Sequence, residues 1–153
     1  MVEALVAALL FIIGVLGMVG ALSQSVSFEA DAEFRNEATK AASEMMNTIW
    51  LNVDRTTPLT ASSSLATFVH QPTSTGTCNF TGAVSGNALV TTWAGRLVNG
   101  VVDDVTARLP GASAEMQQIT VNAANSNEVT IRLCWQSNTD VVPRQYVLRA
   151  YVN

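Results

Sequence analysis

An uninterrupted apolar run near the N-terminus, from Ala4 to Leu22, constrains the fold of this chain more than any other feature. If its 19 residues form an α-helix, that helix is about 28 Å long at 1.5 Å per residue. This length is close to the roughly 30 Å hydrocarbon core of a lipid bilayer. The run therefore predicts a helix of membrane length.

Glu3 stands directly before this run and is the only charged residue among the first 28 positions. A carboxylate carried to the middle of a bilayer costs about 3 kcal/mol on insertion scales, so acids in such segments are candidates for function. A helix that serves only as an anchor has no use for an acid at its tip. Glu3 is therefore the first candidate functional residue.

Two simpler interpretations of the apolar run remain open. A secretory signal peptide begins with a basic region and ends at a small-residue cleavage site, but this chain has no Lys or Arg before Arg35. A plain membrane anchor is usually flanked by basic residues on its cytoplasmic side. Neither interpretation gives the carboxylate of Glu3 a role.

The helical pattern continues beyond the apolar run as one apolar stripe between polar residues. The stripe consists of Phe34, Ala38, Ala41, Met45 and Ile49, with Trp50 and Val53 beside it. No proline occurs before Pro58, and proline disfavours helix at the residue that precedes it. The sequence thus predicts one helix over residues 1–53. Residues 1–23 are its membrane or core segment, and residues 24–53 are an amphipathic half that packs on a globular domain.

Residues 54–153 are predicted to form that globular domain, with one modest core. The stretch from Thr56 to Asn87 is rich in Ser, Thr, Gly and Pro and predicts irregular structure, with one short strand around Leu65–Val69. His70 lies in this stretch with no nucleophile or carboxylate as an obvious partner. We expect its side chain to face solvent.

A second helix is predicted over residues 87–109, with Asn87 as its N-cap and a proline and a glycine directly after it. Its apolar side chains step by four along one side: Leu89, Trp93, Leu97, Val101, Val105 and Leu109. Three segments within residues 117–152 then alternate between apolar and polar residues and are rich in β-forming residues. They predict an antiparallel sheet, so the predicted fold class is α+β.

Composition excludes several classes of function. The net charge is -4 and the pI is near 4.8, and no stripe of Lys and Arg exists that would bind nucleic acid. Cysteine and histidine spacings typical of metal sites are absent, and a single isolated histidine lacks the partners of a catalytic base. We therefore expect no metal, no cofactor and no enzymatic activity.

The two cysteines, Cys78 and Cys134, are expected to form a disulfide if the globular domain lies outside the cytoplasm. The chain-entropy model gives a bridge across a loop of this length about 4 kcal/mol of stabilisation. Two buried free thiols are the alternative.

The first 17 residues, MVEALVAALLFIIGVLG, resemble the start of mature type IV pilins, and most closely the PilV-type minor pilins. The order of Trp93, a strand that ends in Cys134 and Trp135, and a last strand with tyrosine also resembles the C-terminal half of these proteins. The resemblance implies the type IV pilin fold, in which a long N-terminal helix packs on a small antiparallel sheet with a second, shorter helix.

The resemblance also implies a function. The chain would be a minor or major pilin, held in the bacterial inner membrane with its head in the periplasm and then polymerised into an extracellular, adhesive pilus. Glu3 would pair with the N-terminal amine of a neighbouring subunit, and Met1 would be the processed and methylated end, although the family's glutamate usually lies two residues deeper. Expected partners are other pilin subunits, the prepilin peptidase, the inner-membrane assembly platform and, before assembly, lipid. Alternatives are a type II secretion pseudopilin and a membrane-anchored adhesion or binding module.

Three glycines interrupt the apolar run at steps of three residues, at Gly14, Gly17 and Gly20. Each destabilises a helix interior by about 1 kcal/mol relative to alanine. One interpretation is close packing between helices, although the spacing is not that of the usual small-residue dimer motif. By the resemblance to pilins, the favoured interpretation is that these glycines loosen the helix locally in an assembled filament.

Overall fold

The computed structural model describes residues 2–99, 109–138 and 140–152 and has a mixed α+β architecture. Its helices are α1 (Val2–Asn52), α2 (Pro58–Ala66) and α3 (Ala88–Asn99), and its strands are β1 (Thr73–Gly76), β2 (Asn79–Thr81), β3 (Gln117–Asn122), β4 (Glu128–Trp135) and β5 (Arg144–Tyr151). The chain divides into two compact units, Met1–Phe34 and Arg35–Asn153. We call the second unit the head.

Within the head, the C-terminal half of α1 buries the predicted apolar stripe. Ala38, Ala41, Met45 and Ile49 are each at most 3% exposed, which confirms this part of the prediction. Trp50, which the sequence groups with the stripe, is 46% exposed. It follows Ile49 directly, and consecutive residues of a helix point about 100° apart, so both cannot face the core.

The start of α2 is fixed by a proline and a capping box. Pro58 occupies the first helical position, where its missing N–H is not needed. Thr57 and Thr60 form a capping box: the Thr57 hydroxyl accepts the Thr60 N–H at 3.1 Å, and the Thr60 hydroxyl accepts the Thr57 N–H at 2.9 Å. The strand predicted around Leu65–Val69 is wrong, because this cap starts a helix that continues to Ala66.

The hairpin of β1 and β2 is small, and a disulfide links it to β4. Cys78 lies in its turn and bonds to Cys134 on β4, with the two Cα atoms 5.8 Å apart. The predicted bridge is thus present in the structure. Phe80, fully buried on β2, packs with both cysteines, and Met116 lies against this cluster. The hairpin is therefore held by one covalent bond and one apolar cluster.

The main sheet has three antiparallel strands in the order β3-β4-β5. Ile131 on β4 lies opposite Ile119 on β3 and Leu148 on β5, which fixes the register. The core face alternates along β4, where Val129, Ile131 and Leu133 are fully buried. β5 lies at one edge of the sheet and buries less, since its residues alternate between half-buried and exposed.

Helix α3 packs on the C-terminal half of α1. Asn87 caps it as predicted, because its side-chain oxygen accepts the N–H of Leu89 at 3.0 Å. The indole N–H of Trp93 donates to the Ala41 carbonyl at 2.9 Å, and Arg96 pairs with Glu44 at 2.6 Å.

The buried side of α3 differs from the predicted one. Leu89 was expected on the buried side but is 43% exposed, whereas Val90 and Ala94 join Trp93 and Leu97 in the core. A stripe that steps strictly by four drifts around a helix of 3.6 residues per turn, which is why the prediction fails at its first position. Val101, Val105 and the other residues from 100 to 108 lie outside the described residues. Leu109, the last residue of the predicted helix, is buried as expected but lies in no helix.

Candidate membrane and assembly segment

The first unit presents apolar side chains on every side of α1. Val2–Leu22 is long and apolar enough to cross a membrane: an 18-residue window reaches a mean hydropathy of 2.8, and none of it is buried within the chain. Leu5, Phe11 and Met18, for example, are each at least 70% exposed. Burying one such side chain contributes about 2 kcal/mol, so lipid or other apolar helices around this surface would stabilise it.

Glu3 lies in the first turn of α1, and its side chain is exposed. The first backbone N–H groups of a helix have no intrahelical partner and carry partial positive charge, so an acid is favourable there. This interaction favours an acid at the start of any helix, so it does not by itself indicate a function for Glu3. Here the acid also borders an apolar segment, where its charge requires a cation if the surroundings exclude water. Met1, the predicted processed end, lies outside the described residues.

The three glycines of the apolar segment have free space beside them in the described part of the chain. A Cβ atom added at Gly14, Gly17 or Gly20 would have no atom within 4 Å apart from the local helix backbone. Helix α1 is continuous through all three positions. Contacts within this unit thus do not require glycine, and both interpretations, close packing against another helix and local loosening in an assembly, remain predictions.

Charge is divided unevenly between the two units. Residues 1–34 hold four acids and no Lys or Arg, whereas residues 35–153 hold eight acids and eight bases. The whole net charge of -4 therefore belongs to the first unit. Three of its acids, Glu29, Asp31 and Glu33, follow the apolar segment. The head is electrically balanced, so copies of it can approach without long-range repulsion.

Two carboxylates of the head, Asp54 and Asp140, make local structural contacts. The Arg144 guanidinium binds both carboxylate oxygens of Asp140 at 2.9–3.1 Å and lowers the pKa of that carboxyl. Asp54 accepts the hydroxyl and the amide of Thr56, which likewise lowers the pKa of Asp54. Among residues 2–99, 109–138 and 140–152, no three His, Cys, Asp or Glu side chains are grouped so that they could hold a metal ion.

His70 is buried rather than solvent-facing, so the sequence-based prediction is wrong. It is 3% exposed, and its backbone N–H and C=O both bond to Ile119 at 3.0 Å, which forms a bridge beside β3. Burial lowers the pKa of the imidazole. The sequence carries no signal for this position, because the partner lies 49 residues further along the chain. Long-range pairing, not local pattern, decides where this side chain points.

The chain matches no protein-family model, no curated protein and no solved structure. The features of the chain that bear on its function are therefore the apolar segment, Glu3 and the disulfide-linked head.

Proposed function

We propose that this protein is a structural subunit of a type IV pilus, a minor or major pilin, without enzymatic activity. Val2–Leu22 holds it in the bacterial inner membrane before assembly, and the same segment then forms part of the filament core. The observation that carries the proposal is a helix apolar on every side, with an acid at its leading end and a disulfide-linked head after it. The disulfide favours a head outside the cytoplasm.

Exchange of lipid for neighbouring helices suits this segment. Lipid tails are about as apolar as leucine, so moving the apolar side chains from lipid to a bundle of like helices changes their free energy little. The exchange is thus feasible in both directions. Glu3 supplies what apolar packing lacks, because its unpaired carboxylate costs about 3 kcal/mol in hydrocarbon and a cation in the bundle removes that cost.

The charge distribution of the chain limits which cation can neutralise Glu3. Residues 1–34 contain no Lys or Arg. In a bundle of like segments, the group that can neutralise Glu3 is the N-terminal amine of a neighbouring subunit, produced by a prepilin peptidase and methylated. Because one acid meets one amine, the pair fixes the axial register between neighbours. The assembly platform of the inner membrane would extract each subunit, and the balanced heads would form the outer surface.

The test compares two acids on the same helix. Glu3→Ala and the matched control Glu29→Ala are each expressed in place of the wild-type chain, and sheared surface filaments and membranes are analysed by quantitative mass spectrometry. We expect both variants in the membrane at wild-type levels. We expect Glu3→Ala to fall at least tenfold in filaments, whereas Glu29→Ala stays within about twofold, because 1.4 kcal/mol already corresponds to a factor of ten.

Several outcomes would contradict the proposal. Wild-type incorporation of Glu3→Ala would remove the role of the carboxylate. Absence of the wild-type chain from sheared filaments, with all of it in the membrane fraction, would instead favour a membrane-anchored adhesion or binding module. Dependence of assembly on a type II secretion system would indicate a pseudopilin, for which Glu3 and the apolar segment would have the same role.

A further inference from the structure

Strand β5 leaves one edge of the main sheet open. It pairs with β4 along its whole length, from Arg144 to Tyr151, without a bulge or a shift of register. Apart from that ladder, no backbone hydrogen bond joins residues 145–151 to another described part of the chain. Backbone N–H and C=O groups of alternate residues therefore point outward with no strand beside them.

β5 lacks most of the features that usually protect an open edge. It contains no proline and no bulge, and it is at least twice as long as β1 or β2. On the core-facing side, Tyr146 and Leu148 are only half-buried, although their partners on β4 are fully buried. On the other side, Val147 is 39% exposed. A further strand beside β5 would thus bury apolar side chains and also pair backbone groups.

The opposite edge of this sheet is already occupied at its middle. The backbone of His70 pairs with Ile119 of β3 through two hydrogen bonds of 3.0 Å. In the described part of the head, β5 is therefore the one open edge of the main sheet, and two copies that join through this sheet must both offer β5. Such a pair closes around a two-fold axis. Residues 35–153 hold eight acids and eight bases, so two heads can approach without net repulsion.

The two-fold axis restricts the register of such a pair. Directly opposite residues share a face of the sheet, so an antiparallel pair of identical strands that continue one sheet is centred on a single residue. Val147 and Leu148 are the two centres that overlap most of β5. Centring on Leu148 would bring the two Arg149 side chains to diagonal positions, about 7 Å apart on one face, where like charges repel. Centring on Val147 separates them by about 14 Å along the strand.

We propose that β5 binds β5 of a second copy of this chain, antiparallel and centred on Val147. The two Val147 side chains then lie directly opposite each other, and Tyr146 packs against Leu148 of the second copy on the core-facing side. Arg149 faces Gln145 of the second copy. The Nε2 of Gln145 donates to a carbonyl of its own head at 3.4 Å, so its Oε1 can accept from that guanidinium. The pairing involves the heads alone and does not depend on the proposed filament.

The test traps the pair with single cysteines introduced into the full chain in detergent micelles. Both native cysteines are in the disulfide, so an introduced thiol is the only one that can react. Under mild oxidation by copper phenanthroline, Val147→Cys should form covalent dimers roughly fivefold faster, or more, than Tyr151→Cys. The reason is that the Cβ atoms at position 147 of the two copies lie about 5 Å apart and those at position 151 roughly 27 Å.

The controls share the exposure of position 147 but not its place in the pair. Tyr151 is exposed on the same face of β5, and Val142 is exposed on the loop before it. Tyr151→Cys and Val142→Cys should both react slowly. Association of the apolar helices within a micelle would bring the heads together equally in all variants, so it cannot produce these differences. Thermal melting verifies that each variant is folded.

A mixture of two further variants tests the register. Gln145→Cys and Arg149→Cys should each dimerise slowly alone, because the two copies of either position lie about 14 Å apart along the strands. Mixed together, they should cross-link to each other, because position 145 of one copy lies directly opposite position 149 of the other. The proposal is overturned if Val147→Cys cross-links no faster than Tyr151→Cys, or if the mixture cross-links no faster than the separate variants.

Discussion

Replacing Cys78 and Cys134 together by alanine removes the covalent link between the β1–β2 hairpin and β4, and we expect a large loss of stability. The two residues are 56 positions apart, and the chain-entropy model gives a closed loop of that length about 4 kcal/mol at 25 °C. Alanine keeps both buried positions apolar, whereas serine would bury a hydroxyl group. The loss of stability in the alanine variant therefore measures the effect of the disulfide. For a domain of this size 1 kcal/mol shifts Tm by roughly 4 °C, so Tm should fall by about 15 °C.

The assay is thermal unfolding of the full chain in detergent, followed by near-UV circular dichroism of the head tryptophans. The single variants Cys78→Ala and Cys134→Ala serve as internal controls, because each already breaks the bridge and the double variant should lose little more. Reducing agent should lower the Tm of the wild type to the same level and leave the double variant unchanged. A double variant within about 3 °C of the wild type would refute the entropic argument, and additive losses in the single variants would show that packing of each side chain matters instead.

Three further predictions concern the head. Trp93→Phe should lower the free energy of unfolding by about 1–2 kcal/mol in chemical denaturation, because the hydrogen bond to the Ala41 carbonyl is lost. The exposed control, Trp50→Phe, should change it by no more than about 0.5 kcal/mol. Equal losses in the two variants would contradict the assigned packing. Burial lowers the folded-state pKa of His70 below its usual 6.5. The stability that the neutral, buried ring contributes to the head is therefore complete above pH 6.5 and is lost as the pH falls through the folded-state pKa. His70→Gln should weaken the dependence of stability on pH below pH 6.5, and an unchanged pH profile would show that another group causes it. Arg144 lowers the pKa of Asp140 from 3.8, so stability present above pH 3.8 should be lost below it, and Asp140→Asn should reduce this acid-induced loss.

The parts of the fold that the sequence predicts are those set by local periodicity. The stripe at Ala38, Ala41, Met45 and Ile49 has the helical period over several turns, and polar and apolar residues alternate in β4 from Glu128 to Leu133. The stripe of α1 and the apolar residues of β4 are the side chains that face the core. The Asn87 cap is equally local, since its side chain binds the N–H two residues later.

The errors lie where local pattern competes with capping or long-range pairing. Leu65–Val69 contains β-branched and aromatic residues and resembles a strand, but the capping box at Thr57 starts a helix nearby. His70 is buried because its backbone pairs with Ile119, and no pattern in the neighbouring sequence predicts this pairing. The tertiary fold decides both positions.

The candidate sites differ in the same way. Glu3 is recognisable from sequence because it lies directly beside an apolar run, and transfer of a charge into hydrocarbon with such a run is unfavourable. A cleft on the head, lined among others by His70, Gln71 and Ala114, cannot be recognised from sequence, because its residues come from distant parts of the chain.

The pairing of Glu3 is tested most directly by a cryo-EM reconstruction of purified filaments in which side chains near the axis are resolved. We predict that the Glu3 carboxylate lies within about 4 Å of the N-terminal amine of an adjacent subunit, the usual ion-pair distance. A carboxylate that faces lipid or solvent with no cationic group nearby, or a chain that never forms filaments, would contradict it.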